Sequence, residues 1–273
     1  MSKKKESWIY ISLCIIITNA LWYVGYSVRE KNEESIMVIL PLALASFMPA
    51  IIAIIMCKLK KDRLSSMLLS LNIKKTWRIY LLAIGTGLFV VYSADLLPLL
   101  FFPGNVSLVP ENLTFIFCGK IILFTIISIV ESIELLGEEL GWMGYLFPRL
   151  EEEYGTFPSI LIISIVRTLW HIVILMKIDG SWVGVCNLFL SNLMLQNVLV
   201  YVTKKSKSVF PAAIVHAVTN IMMALSFVTY SEEFYNNNLL KFNLVGLIPL
   251  VLVGAIFFTL LYRDKQAAQQ REA

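Results

Sequence analysis

Charge is scarce in this sequence: Asp, Glu, Lys and Arg supply only 15% of its 273 residues, against roughly a quarter in an ordinary globular chain. With 58% hydrophobic residues beside that scarcity, a soluble fold is excluded, because it could not hide so much apolar surface. Cysteine is also sparse. Cys14, Cys57, Cys118 and Cys186 sit in or beside apolar runs with no CxxC spacing, which excludes a zinc-ribbon or disulfide framework and leaves free thiols. Histidine occurs twice, and no low-complexity segment, internal repeat or separate soluble domain is visible.

What the chain has instead is a series of long, mostly uncharged runs. Each approaches the roughly 20 residues that cross a bilayer core at about 1.5 Å per residue. They are Trp8–Val28, Ile36–Cys57, Ile79–Phe102, Thr114–Pro148, Phe157–Met176, Trp182–Thr203, Val209–Tyr230 and Asn243–Tyr262. The runs are apolar all round and lack the short alternation of a membrane barrel, so the expected fold is an all-α polytopic membrane protein with about eight transmembrane helices.

The basic residues set the orientation. Of 23 Lys and Arg, 17 fall in the two tails or in the connections 58–78, 149–155 and 204–208, and four (Arg29, Lys31, Lys177, Lys241) fall in the others. By the positive-inside rule both termini are then cytoplasmic. The net charge of +4 thus reports orientation in a lipid bilayer and gives no reason to expect nucleic acid. Lys3, Lys4 and Lys5 precede a first run too long for a signal-peptide core and without a small-x-small cleavage site, so an anchor is expected there. Usage of Ile, Lys and Asn suggests a bacterial plasma membrane as the setting.

Ionisable groups inside such runs are expensive, costing at least about 2.5–3.5 kcal/mol near the bilayer centre. They therefore mark function. Three segments carry them: Glu131 and Glu134 followed by Glu138-Glu139-Leu-Gly-Trp142-Met143-Gly144-Tyr145; Arg167-Thr-Leu-Trp170-His171; and His216-Ala-Val-Thr-Asn220. Glu131, Glu134 and Glu138, at i, i+3 and i+7, share one helix face, and so do His216 and Asn220 at i and i+4. Counting helical rise from Arg149, Phe157 and Ser208 puts Glu138, His171 and His216 roughly 16, 21 and 12 Å deep, in one layer from the middle to the cytoplasmic half. The fourth run must then continue to Pro148, with a break expected at Gly137, Gly141 or Gly144. Glu131 and Glu134 are expected to be structural partners of Lys120 or Arg167.

Carboxylates and imidazoles around a shielded cavity suit hydrolysis, with a carboxylate as base toward water and His and Asn as donors to an oxyanion. The same atoms suit zinc, with Glu138, His171 and His216 as candidate ligands and a second carboxylate as base. The pattern requires no cofactor and does not separate these routes.

Glu138-Glu139-x-x-Trp142-x-Gly144-Tyr145, Leu169-Trp170-His171 and Pro211-Ala-Ala-Ile-Val-His216-x-x-x-Asn220 resemble the three motifs of the CAAX prenyl protease and bacteriocin-processing family (CPBP or Abi), intramembrane endopeptidases of about eight helices. The resemblance covers roughly residues 110–225. It implies that Glu138 and His171 activate water, Glu139 supports the site, and His216 and Asn220 form the oxyanion hole, acting on a membrane-associated peptide or protein. The expected organisation is residues 1–110 as the first three helices, 111–230 as the catalytic core, and 231–273 as the last helix and cytoplasmic tail. Two positions depart from the family pattern: Met143 replaces an Arg in the first motif, and Arg167 replaces a Phe in the second. One explanation is an exchange, with Arg167 pairing to Glu139. The rival readings are a catalytically degenerate member acting as a bacteriocin-immunity or membrane partner protein, and a small proton-coupled transporter.

Overall fold

The computed structural model describes residues 3–29, 36–109, 115–178, 180–222 and 225–272. Lys31 and Thr114, which entered the reading of orientation and spans, lie outside them. The helices are α1 (Lys3–Arg29), α2 (Ile36–Lys60) and α3 (Ile73–Leu96), then the single turn α4 (Pro98–Phe101) and a strand β1 (Val106–Leu108). There follow α5 (Phe115–Glu139), a π-helical segment (Leu140–Leu146), α6 (Phe147–Tyr154), α7 (Thr156–Trp170), α8 (Ile172–Ile178), α9 (Trp182–Ser206) and α10 (Phe210–Met222). A strand β2 (Val228–Tyr230), α11 (Glu232–Asn237) and α12 (Leu239–Glu272) complete the chain.

The architecture is that of an all-α polytopic membrane protein. Among the described residues, five helices are long and apolar enough to cross a bilayer: Lys3–Val28, Leu40–Lys60, Ile73–Phe101, Trp182–Ser206 and Leu239–Arg271. The other three expected spans are interrupted or polar, and each has a local cause. The fifth run breaks at His171, whose backbone (φ −91°, ψ 2°) ends α7 after 15 residues. The seventh is helical over Phe210–Met222, and residues 228–230 at its far end pair antiparallel with β1 instead of forming helix. The fourth divides into α5, which carries four glutamates, and the π segment. These are the three runs that carry Glu138, His171 and His216.

A π turn holds an extra residue and is frequently found at functional sites. Here all seven of its residues are buried, and Gly141 and Gly144 supply the close approach that the wider turn needs. A Cβ on Gly141 would lie 2.6 Å from the Pro49 carbonyl carbon on α2 and would crowd the Tyr10 hydroxyl, which donates to Pro49 O at 3.0 Å. Gly141→Ala is therefore expected to destabilise the protein by about 1–3 kcal/mol through overpacking. Thermal unfolding in detergent measures this, and an unchanged midpoint would contradict the packing.

The ends of the bundle differ. At one, ion pairs tie the basic connections together: Lys3 to Glu152, Lys60 to Glu6, Arg149 to Asp62, Lys204 to Glu151 and Lys205 to Asp264. Exposed pairs of this kind contribute little stability. They do fix which connections meet. The opposite end carries the β1–β2 pair and an aromatic cluster of Phe102, Tyr230, Phe234, Tyr235 and Phe242.

Candidate active site

Helix α10 packs against α5, α3 and α9, and α7 against α9, which brings the three polar segments together inside the bundle. Glu139 is fully buried and Glu138 is 7% exposed. Arg167 Nη1 donates to Glu139 Oε1 at 2.8 Å, and its Nη2 lies 3.7 Å from Glu138 Oε2. His216 Nδ1 is 2.9 Å from the same Glu139 oxygen and 3.3 Å from Arg167 Nη2. The pairing of Arg167 with Glu139, anticipated from the two departures, is thus present. Met143, where the family carries Arg, is fully buried and accepts from Gln196 Nε2 at 3.0 Å.

Hydrogen-bond bookkeeping assigns the rings. His171 Nδ1 lies 2.9 Å from Arg167 O, and a carbonyl only accepts, so Nδ1 carries the proton and Nε2 is left as the acceptor. The His171 ring stands edge-on to Trp170 at 4.3 Å, and Trp170 packs on Trp142 and Trp22, a wall of indoles that fixes its orientation. By the same logic, Glu139 as a carboxylate accepts from His216 Nδ1, leaving Nε2 of that ring for other partners.

Beside these groups lies a cavity of about 550 Å³ lined by Arg167, His171, His216 and Asn220. The cavity also takes in residues the sequence reading passed over: Asp95 of α3, Asn187, Ser191 and Asn192 of α9, and Tyr230, Tyr235 and Asn243 near the β1–β2 end. On α9 the signal was legible, since Asn187, Ser191, Asn192 and Gln196 recur about once per turn within an apolar run. Asp95 lies within the expected span Ile79–Phe102, where its charge was itself the signal that the reading passed over.

Glu131 and Glu134 are not partners of Arg167. Both are exposed on the outside of α5, because the guanidinium is taken by Glu139 and Glu138 one to two turns further on. Glu138, Glu139 and His216 offer ligand atoms all within 4.8 Å of one another and could hold a metal ion. In that set Glu139 stands where His171 was expected, since the Nδ1 of His171 is turned back to its own helix.

The segment that builds this site, residues 114–222, matches the family model described as type II CAAX prenyl endopeptidase Rce1-like. Over that segment the chain is similar to the CAAX prenyl protease family. A curated relative, CAAX prenyl protease 2 of Methanococcus maripaludis, is 26% identical over 260 residues, covering 88% of this chain and 92% of its own. These similarities support a membrane-embedded protease, and the five apolar helices make the chain a multi-pass membrane protein. In family terms, the matched segment contains Glu138, Glu139, Arg167, His171, His216 and Asn220, and leaves out α1 to α3 and α12.

Proposed function

We propose that the chain is an intramembrane endopeptidase, in the plasma membrane of a bacterium, that hydrolyses a membrane-associated peptide or protein with a Glu138-activated water. The observation that carries this reading is that Glu138 Oε2 is buried without a hydrogen-bond partner beside a guanidinium and an imidazole. Burying a carboxylate and leaving it unsatisfied costs several kcal/mol, of order 1–3 or more, and a use in catalysis accounts for it.

Charge balance gives the resting state. Glu138 and Glu139 carry two negative charges, and Arg167 neutralises one. An imidazolium at His216, held by Glu139, neutralises the other, and a dry site favours that neutrality. Glu138 then accepts a proton from water while His171 Nε2 accepts a hydrogen bond from the same molecule. The water oxygen adds to the peptide carbonyl carbon, and the carbonyl oxygen takes up the negative charge. His216 Nε2–H and the Asn220 amide donate to that oxyanion. Collapse breaks the C–N bond, and the amine leaves with the proton that Glu138 took.

Zinc does not fit this donor set as it stands. The Arg167 guanidinium lies among all three potential ligands, at 2.8, 3.3 and 3.7 Å, so a divalent ion would face a fixed positive charge at contact distance. The expected outcome is that purified protein keeps full peptidase activity in a strong chelator and gains none from added zinc. Loss with chelator and recovery with zinc would reassign Glu138, Glu139 and His216 as ligands. Cleavage of quenched fluorogenic peptides in detergent, wild type beside Glu138→Gln, tests the proposal itself.

A further inference from the structure

Between α3 and α12, on the outside of the bundle, runs a groove of about 640 Å³ that none of Glu138, Glu139, His171 and His216 lines. Its α3 wall is Trp77, Leu81, Leu82 and Phe89, and its α12 wall is Val253, Ile256 and Phe257. Leu81, Phe89 and Ile256 are exposed, facing where lipid would be. Gly85 lies midway along the α3 wall, and a Cβ there would meet nothing within 4 Å, so the groove is open at its middle.

The two helices run in opposite directions, and the groove has one charged end. α3 starts from the basic end of the bundle, where the Asn72 amide donates to Ser206 O at 3.1 Å, and α12 arrives there, with Asp264 2.8 Å from Lys205 Nζ. Arg78 therefore stands at the basic mouth of the groove, its guanidinium carbon 5.4 Å from the centre of the Trp77 ring, with Lys74 and Lys75 in the turn before it. On α12, Arg263 follows Ile256 at i+7 and continues that wall toward the same end. Lys3, Lys60, Arg149, Lys204 and Lys205 at this end each pair with a carboxylate. Among the described residues, Lys74, Lys75, Arg78 and Arg263 pair with none.

We infer that this groove is a binding site for an anionic phospholipid of the leaflet at the basic end, with an acyl chain lying along Gly85 and the phosphate meeting Arg78, Lys74 and Lys75. The length selects a lipid. From Trp77 to Phe89 the α3 wall runs for roughly 18 Å at 1.5 Å per residue, about the depth of one leaflet of a bilayer core some 30 Å thick, whereas a partner's transmembrane helix would call for the whole thickness. The charge selects the headgroup. Trp77 sits where such rings mark the membrane interface, and cations beside it that hold no carboxylate are left to attract an anion. A zwitterionic lipid fits the apolar walls equally well but gains far less from those cations. Binding here is separate from the chemistry at Glu138.

The test reconstitutes the full chain in phosphatidylcholine vesicles with rising fractions of brominated phosphatidylglycerol or of brominated phosphatidylcholine. Quenching at Trp77 is read as the difference between wild type and Trp77→Phe. Half-maximal quenching is expected at an at least about fivefold lower fraction of the anionic lipid, since each nearby cation contributes about a factor of five. Replacing Lys74, Lys75 and Arg78 together by Gln should erase that preference, and Arg78→Lys alone should keep it. Gly85→Phe fills open space, so it should weaken quenching by both lipids while thermal unfolding stays unchanged. Glycerol phosphate, the headgroup without its chains, should leave quenching as it was. Equal quenching by the two lipids in wild type, or an anionic preference that survives loss of the three charges, overturns the inference. Undiminished quenching in a folded Gly85→Phe protein overturns the placement of the chain, and relief of quenching by glycerol phosphate replaces the lipid with a free phosphate as the occupant.

Discussion

Glu138→Gln is expected to reach normal abundance in membranes, unfold no earlier than wild type, and hydrolyse peptide about 10²–10⁴-fold more slowly, the range for loss of a general base. Stability is spared because the substitution removes a buried charge whose Oε2 has no hydrogen-bond partner, and puts in its place a neutral group of the same shape. Activity is lost because an amide cannot accept the proton of water. Single-turnover cleavage together with a thermal melt separates the two effects. Full activity in this variant would mean that some other group activates water. If the chain protects against a peptide rather than cutting it, protection would survive the substitution, which is the outcome the immunity reading requires.

Arg167→Met should be the most damaging change to folding. It leaves Glu139, fully buried, with a hydrogen bond from His216 and without its guanidinium, and breaking a buried ion pair by removing one partner costs about 3–5 kcal/mol. Adding Glu139→Gln to that variant removes the stranded charge and should recover much of the loss, the coupling expected of residues in direct contact. Denaturant titration of the two single variants and the double variant measures it. If Arg167→Met left folding and activity unchanged while Glu138→Gln abolished activity, the exchange between Met143 and Arg167 would have no physical content.

The site residues were legible because a membrane makes each polar group conspicuous: Glu138, His171 and His216 stand with few other ionisable groups in otherwise apolar runs. Regular spans such as those of α1, α2 and α9 were equally readable from length and hydropathy. What was not readable was how the catalytic runs end. Hydropathy continues smoothly through His171 and on to Tyr230, so neither the end of α7 at His171 nor the pairing of residues 228–230 with β1 left a trace in it. Glu131 and Glu134 were misjudged for a related reason. Helical spacing placed them on a face with Glu138, and all three do lie on α5, but that face is buried in the bundle only at the helix's last turn, which leaves Glu131 and Glu134 exposed.

The spacing of the buried charges along the chain has a consequence for biosynthesis. Glu139 and Arg167 are 28 residues apart, whereas His216 follows Glu139 by 77. As the polypeptide emerges from the ribosome and is handed to the lipid phase, the acidic pair has a guanidinium to meet long before the imidazole arrives. Arg167 is synthesised 49 residues ahead of His216 and is therefore the first of the two partners available to Glu139.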